Sequence, residues 1–349
     1  MKLPFLHVLT LFLPLGLVAQ DAGDVFQKYE PDVRRAVNRG VDYLLTIEQA
    51  DGTFPEAHGR STGISSLVGM AILSTGATPG NGRYGEAINR RIDYVLKGVD
   101  KDGILSCGDH GNGPMYAHNI SALFLSECSG MVDAERQKKI DGILPKAVKI
   151  LIDAQAVKKD KRNQGGWRYH ANSNDSDMSC SGWALMALRS ARLNGAAVPT
   201  SSIEAAVEYV HRMQNPKAGN IGYTSDREHM ESLTGAGLLC LELCGKHAAP
   251  ENILAADWIL ANFTKLPKAE FEFYGNYYNA QGMFQLGGKY WKAYGEWMYS
   301  NYLPQQKAEG FWEGERFGKT YSTSIMVLAM TVPFRQLPIY QRDERVDEE

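Results

Sequence analysis

The sequence predicts an all-α protein, an (α/α)6 toroid of six helical hairpins, and three observations support this prediction. Amphipathic segments with apolar residues at i, i+3, i+4 and i+7 recur along the chain. Each is followed by a Gly-rich turn, most of which carry an aromatic residue, and then by a segment rich in Ala, Gly, Ser and Leu. No segment shows the period-two alternation of a strand.

The six turns follow one another in order along the chain. They are QADGTF (49–54), KDGIL (101–105), QGGWRY (164–169), AGNIGY (218–223), AEFEFYGNYY (269–278) and AEGFWEG (308–314). The segments after them are GISSLVGMAILSTG, NISALFLSECSG, CSGWALMALRSARLNG, LTGAGLLCLELCG, AQGMFQLGG and STSIMVLAM. These are apolar nearly all round, so they belong inside, where small residues permit close approach. The more polar helices before the turns, such as VRRAVNRGVDYLLTIEQ, form an outer ring.

The chain is predicted to hold one folded domain, at residues 21–342, between a signal peptide and an acidic tail at 343–349. Residues 1–20 carry Lys2, an apolar run from Leu3 to Val18 and the small residue Ala19, the order of a secretory signal cleaved after residue 19 or 20. The apolar run is shorter than the roughly 20 residues of a spanning helix. We therefore expect a secreted or periplasmic protein with no stable membrane span.

The charge balance excludes one class of partner. The chain has 37 Lys and Arg against 40 Asp and Glu, a net charge of -3. A nucleic-acid binder normally shows a basic stripe. No nucleic-acid partner is expected.

The inner helices of a toroid all run in the same direction, so their N-termini meet at one end of the central cavity. Positive helix-dipole ends and turn residues make that rim suited to an anion or to polar catalysis. The candidate catalytic residues are Asp177, Asp175 and His118. The candidate ligand-binding residues are His110, Tyr116, Trp167, Tyr169, Trp183, His229, Glu231, Tyr278, Gln281 and Tyr321. Deeper lining is expected from Met70, Met115, Trp183, Met186, Phe284 and Met326.

The turn QGGWRY followed by DMSCSGWALMALRSA resembles the repeats of the squalene cyclase and protein prenyltransferase superfamily. The stretch YYNAQGMFQLGGKYWKAYGEWM, with EGFWEG and YSTSIMVLAMTVPF after it, is similar to secreted bacterial proteins that carry these repeats. The resemblance covers residues 31–342. It implies the toroid fold but leaves the activity open, because the superfamily includes proteins of several activities.

Resemblance to triterpene cyclases implies a DxDD motif whose central Asp protonates the substrate. Anchoring on the Gly-Trp pair at 182–183 places Asp177 at the last Asp and Ser176 where the acid should be. The other register puts Asp177 at the acid but replaces its partner with Met178. Either way the acid loses a neighbour that tunes its pKa. Cyclisation of squalene or oxidosqualene is therefore not expected.

Resemblance to prenyltransferase β-subunits implies zinc held by Asp, Cys and His. Asp177 matches the Asp, but Ser179 stands at the Cys position, with Cys180 one residue off, and Tyr321 replaces the His. The Cys and Gln pair of a complement-type thioester is absent from the sequence.

A separate metal site could be assembled from residues of the 101–119 stretch. Its members would be Cys107, Asp109, His110 and His118, without a HxxxH or CxxC element to support it. The sequence thus predicts no metal and no cofactor.

Two functions from different classes remain open. In the first, the cavity binds a lipid-like or isoprenoid small molecule, or a peptide. In the second, the protein is an exported enzyme, either terpene cyclase-like or a glycan-active lyase or hydrolase, acting through Asp, His and Tyr at the rim. A narrow apolar funnel favours lipid, whereas a wide, wet, aromatic-lined groove favours glycan.

Overall fold

A computed structural model describes residues 16–56, 58–107, 111–314 and 316–341, with side chains from Val25 onward. The acidic tail at 343–349 and residues 1–15 of the predicted signal segment lie outside the described residues. In the described part of the chain, no helix combines the length and apolarity that a membrane crossing requires.

The described residues form twelve α-helices that alternate between two layers. The outer helices are α1 (Gly16–Thr46), α3 (Gly85–Lys97), α5 (Ala134–Ala156), α7 (Thr200–Met213), α9 (Pro250–Asn262) and α11 (Gly288–Tyr302). The inner helices are α2 (Thr62–Leu73), α4 (Met115–Cys128), α6 (Met178–Leu193), α8 (Met230–Cys244), α10 (Glu272–Leu286) and α12 (Gly318–Met330). Each inner helix contacts the next, and α12 contacts α2, so the ring closes. The predicted (α/α)6 toroid is confirmed.

Two of the predicted turns require glycine for conformation and for space. Gly165 and Gly310 have φ angles of 83° and 106°, in the left-handed region that other residues rarely adopt. A Cβ on Gly165 would lie 2.0 Å from the carbonyl oxygen of Ala205 in α7, and one on Gly310 would lie 2.4 Å from that of Arg39 in α1. Each turn thus presses against the next outer helix, and Gly310 does so across the junction between the last hairpin and the first.

Glutamine side chains at or shortly after the ends of outer helices join neighbouring hairpins. Gln155 donates from Nε2 to the carbonyl of Gly165 in its own turn and to that of Ser202 in α7, both at 2.9 Å. Gln306 repeats the arrangement, since its Nε2 donates to a carbonyl in its own turn and to that of Ala36 in α1, both at 2.8 Å. The ring is therefore closed by the same contacts that link its other hairpins.

The fifth predicted turn, at 269–278, is wrong over most of its length. A 3₁₀-helix (Phe263–Lys268) precedes it, and α10 already begins at Glu272. The misleading residue is Gly275, which lies inside the helix. A Cβ there would lie 2.8 Å from Cα of Ser232 in α8, so this glycine permits close helix packing instead of a chain reversal.

The C-terminal segment covers the end of the ring where the inner helices finish. The amide of Ile339 donates to Oε2 of Glu127 at 3.1 Å, and Gln285 Nε2 donates to the carbonyl of Tyr340 at 2.9 Å. Glu127 is buried near the end of α4, and Gln285 lies near the end of α10. This end of the central channel is closed by the chain itself.

The Glu127 contact predicts a pH-dependent contribution to stability. Burial raises the pKa of Glu127 from 4.5 to about 7, although Ser190 and Ile339 donate hydrogen bonds to it. The folded state therefore holds an extra proton between pH 4.5 and 7, and stability falls as pH rises through that window. Between pH 5 and pH 8 the free energy of unfolding of the parent should fall by about 2 kcal/mol more than that of Glu127→Gln, which has no titrating group at this position. Urea unfolding of both proteins at the two pH values measures this, and equal losses would contradict it.

Candidate functional site

A cavity of about 530 Å³ lies where the N-terminal ends of the inner helices meet. Its lining comes from all six inner helices and from the turns before them. At one end Asn112 and Glu270 are exposed, so the cavity opens to solvent there. At the other end Leu67, Ile120 and Trp183 are buried and form the floor. The cavity is thus a pocket with one mouth.

Aromatic rings make up much of the wall. The tyrosine, phenylalanine and tryptophan residues among the described lining are Tyr116, Tyr169, Trp183, Tyr223, Phe271, Tyr274, Phe317 and Tyr321. Several of these rings pack on one another, as in the pairs Tyr116–Tyr169 at 5.7 Å and Phe271–Phe317 at 6.3 Å between centroids. Such faces offer apolar contact and attract cations.

The charged side chains of the described lining gather at the mouth. Arg316 Nη1 lies 3.0 Å from Glu270 Oε1, and His229 Nδ1 lies 3.9 Å from the other carboxylate oxygen of Glu270. His229 has a φ angle of 52° and stands just before α8, in a left-handed conformation that is uncommon outside glycine. Phe271 packs edge-on against its ring at 5.2 Å.

A buried acidic group lies directly behind the tyrosine wall. Asp177 is wholly buried at the N-cap of α6, where Oδ1 accepts hydrogen bonds from the amide of Cys180 at 2.8 Å and the hydroxyl of Ser179 at 2.6 Å. Oδ2 lies 3.2 Å from Nη1 of Arg168. Burial raises the pKa of Asp177, and these hydrogen bonds and Arg168 oppose that rise. The guanidinium of Arg168 in turn lies over the ring of Tyr169, 4.4 Å from its centroid.

Hydroxyl groups connect Asp177 to the cavity. Ser179 lines the cavity, and its Oγ is hydrogen-bonded both to Asp177 and to the phenol of Tyr116. Tyr116 also lines the cavity, and burial raises the pKa of its phenol well above the usual value. A buried carboxylate is therefore linked through two hydroxyls to the space where a ligand would lie.

Five of the ligand-binding candidates lie on the cavity. They are Tyr116, Tyr169, Trp183, His229 and Tyr321. His110 lies outside the described residues. Of the other expected lining residues, Met70, Met186 and Met326 are fully buried in the core below Trp183, so the lower part of the ring is filled.

The remaining ligand-binding candidates lie elsewhere. Trp167 is buried, and its Nε1 donates to the carbonyl of Leu151 at 2.8 Å, so it plugs the space between hairpins. Tyr278 is buried in α10 with its ring 5.4 Å from that of Trp183. Gln281 lines a small separate cavity beside the C-terminal segment, and Glu231 stands in the first turn of α8 outside the described lining.

His118 serves the repeat and does not face the cavity. It is wholly buried, its Nδ1 accepts from the amide of Leu105 at 3.0 Å, and its Nε2 donates to the carbonyl of Ala147 at 3.1 Å. Burial lowers its pKa to about 4, which keeps the ring neutral. In the next hairpin Ser181 fills the same role, because its Oγ accepts from the amide of Trp167 at 2.8 Å. His118 thus occupies a structural position.

The three catalytic candidates do not form one group. Asp175 is exposed and lies 3.3 Å from Nε of Arg168, so Asp175 and Asp177 share one guanidinium. His118 bonds only to backbone groups of other segments. Among residues 16–56, 58–107, 111–314 and 316–341, no cluster of three His, Cys, Asp or Glu side chains could hold a metal.

Several lining residues are not among those predicted from the sequence. Tyr223 follows the glycine of its turn by four residues, as Tyr169 does, and comparing these two turns could have found it. Tyr274 lies in the stretch predicted to be a turn, but it belongs to helix α10. Phe271 and Phe317 precede inner helices, where no local pattern distinguishes a lining residue from a core residue.

Comparison with known proteins identifies structures of similar fold. No protein-family model and no curated protein match the sequence. A type II terpene cyclase variant, MstE from Scytonema with geranylgeranyl dihydroxybenzoate bound, superposes with a TM-score of 0.57 at 15% identity, over 88% of this chain and 99% of that chain. A reducing-end xylose-releasing exo-oligoxylanase has a TM-score of 0.61 at 14% identity, over 91% of this chain and 96% of its own.

A third similar structure is an inactive variant of an α-1,6-mannanase from Salegentibacter, in complex with α-1,6-mannotriose. Its TM-score is 0.61 at 9% identity, over 86% of this chain and 98% of that chain. At such low identities the likeness concerns the fold alone, because one fold hosts many activities. The chain is therefore an (α/α)6 toroid, a fold it shares with a terpene cyclase and with glycan-degrading enzymes.

Proposed function

We propose that this protein binds an apolar, isoprenoid-like ligand in the cavity at the N-termini of its inner helices. The observation that carries the proposal is the shape and chemistry of the cavity. It has about 530 Å³ of space, a single mouth and a buried floor of Leu67, Ile120 and Trp183, so it is a pocket and not the open groove expected for a glycan, although aromatic rings form its walls. Pockets of this size with mostly apolar walls and few polar groups are typical small-molecule sites.

The lining favours an apolar ligand over a glycan. Glycoside hydrolysis requires two carboxyl groups that flank the scissile bond. Glu270 is the one carboxylate among the described lining residues, and it is paired with Arg316 at the mouth. Asp177 does not line the cavity, so it cannot protonate a ligand by direct contact. The isoprenoid substrate held by the similar terpene cyclase structure supports the same choice of ligand class.

We also propose that binding takes place outside the cytoplasm, on the basis of the signal sequence predicted at residues 1–20. Mass spectrometry of the mature protein from its native host tests this. A mature N-terminus at residue 20 or 21 is the expected result, and retention of the full segment on a cytoplasmic protein would overturn this part of the proposal.

Filling the cavity tests the binding proposal. Ile120→Trp places an indole into open space one helical turn below Tyr116, so we expect at least a tenfold loss of affinity for geranylgeraniol with little loss of stability. Native mass spectrometry and titration calorimetry measure the binding, and thermal unfolding checks the fold. Leu254→Trp on the exposed side of α9 is the matched control and should bind as the parent does. Undiminished binding by a folded Ile120→Trp variant would exclude the cavity as the site.

A further inference from the structure

We infer that the ligand carries a hydroxyl group, which donates a hydrogen bond to the phenol oxygen of Tyr116. This inference rests on the proposed function and narrows its ligand class to isoprenoid alcohols. The inference is based on the hydrogen bonds that link Asp177, Ser179 and Tyr116. The donor and acceptor in each of these bonds follow from the contacts of the buried Asp177.

The carboxyl group of Asp177 can only accept at two of its contacts. The amide of Cys180 and the guanidinium of Arg168 are obligate donors, at 2.8 Å from Oδ1 and 3.2 Å from Oδ2. Arg168 supplies a positive charge to a carboxyl that has no exposed surface. These donors and the charge of Arg168 oppose the rise in pKa that burial causes and favour the ionised form of Asp177, which accepts at its third contact as well. The hydroxyl of Ser179 must donate to it, at 2.6 Å.

The direction then propagates toward the cavity. Since the single proton of Ser179 goes to Asp177, the oxygen of Ser179 accepts the proton of Tyr116. Tyr116 has no further proton to offer. Because Tyr116 lines the cavity, its phenol oxygen is inferred to meet the ligand as an acceptor. A ligand group that meets this oxygen must donate. A hydroxyl can do so, whereas an ether, a carbonyl or a carboxylate cannot.

A neighbouring pair of tyrosines complements a hydroxyl. Tyr169 and Tyr223 both line the cavity and share one hydrogen bond between their phenols, so one proton of the pair is left for a ligand. The ring of Tyr169 lies 5.7 Å from that of Tyr116. The O–H group of an alcohol can donate to Tyr116 while its oxygen accepts from this pair.

The arginines near the cavity are already paired with carboxylates, which disfavours an anionic ligand. Arg168 lies between Asp175 and Asp177 behind the wall, and Arg316 at the mouth is paired with Glu270. Arg316, the arginine of the described lining, and Arg168 behind the wall are thus each already paired with a carboxylate. A carboxylate or diphosphate headgroup would have to displace one of these partners.

Three ligands with the same isoprenoid chain and different end groups test the inference on the mature protein. They are geranylgeraniol, its methyl ether and geranylgeranoic acid. We expect the parent to bind the alcohol about tenfold more tightly than the ether, and the acid least tightly. Tyr116→Phe should reduce the ratio of alcohol to ether affinity to about one without weakening ether binding. Tyr43→Phe, which removes a phenol on the outer helix α1 away from the cavity, is the control and should keep the parental ratio.

A second variant separates hydrogen-bond direction from a structural role. Ser179→Ala removes the acceptor of the Tyr116 proton, which then becomes available to the ligand. The affinity of the Ser179→Ala variant for the ether should rise, whereas that of the Tyr116→Phe variant should not. Equal binding of alcohol and ether by the parent, or preference for the acid, overturns the inference and leaves the apolar cavity in place. Failure of all three ligands to bind the parent overturns the proposed function itself.

Discussion

Replacing Gly235 with Ala is expected to destabilise the protein by about 3 kcal/mol, because helices α8 and α10 pack backbone against backbone at this residue. A Cβ on Gly235 would lie 2.5 Å from the amide nitrogen of Asn279 and 2.7 Å from its Cα. Gly275 on α10 faces Cα of Ser232 on α8 in the same way. No side-chain rotation relieves these contacts, so the two helices must move apart.

Gly182 in α6 provides the matched control. It also lies in an inner helix, but the nearest atoms to an added Cβ are Met178 Cε at 3.8 Å and Tyr278 Oη at 3.9 Å. Alanine favours a helix over glycine by about 1 kcal/mol, so Gly182→Ala should stabilise the fold slightly. Urea unfolding of both variants measures the difference. Similar effects of the two substitutions would mean that α8 and α10 are not in close contact.

Asp177→Ala is expected to cost about 3 kcal/mol, the second large effect. The substitution removes the buried partner of Arg168 and the side-chain acceptor at the start of α6. Loss of one member of a buried ion pair typically costs 3–5 kcal/mol. We place this case at the lower end because Arg168 is one-fifth exposed and keeps its contact with Asp175.

Asp177→Asn distinguishes the two contributions. The amide oxygen can still accept from the backbone of Cys180, so the helix cap is retained while the charge is lost. We expect this variant to lose about 2 kcal/mol, because Arg168 loses its charged buried partner while the cap, worth about 1 kcal/mol, is kept. Thermal and urea unfolding at pH 7 give both values. If Asp177→Ala lowers the free energy of unfolding no more than Asp177→Asn does, the hydrogen bonds that Asp177 accepts add no stability to that of its charge.

The fold could be predicted because its elements are repeated. The glycine at 165 is followed two residues later by Trp167, and the one at 310 by Trp312, so one turn helps to identify the others. Prediction fails at 269–278, where Gly275 serves close packing of two helices. Composition alone does not tell a glycine that reverses the chain from one that lets another backbone approach.

The site could be predicted only as a region. Parallel inner helices place their N-termini together, and five of the candidate residues indeed line the cavity there. What the sequence could not supply is the side of the helix on which each residue lies. Asp177 is two residues from Ser179, yet it lies behind the wall while Ser179 lies on it. Successive residues point about 100° apart, so a small uncertainty in helix start moves a residue from the cavity to the core.

The closed ring has a consequence for the order in which the protein assembles. The hydrogen bond from Gln306 to Ala36 joins residues 270 positions apart, and α1 packs against both α11 and α12. Contacts between such distant segments carry the largest loop-closure entropy and slow folding. Open arrays of repeats can fold from any point and fray at their ends. In the described chain no hairpin is an end, because α1 contacts α11 and α12. We therefore expect these contacts to form last during synthesis and the twelve helices to unfold cooperatively.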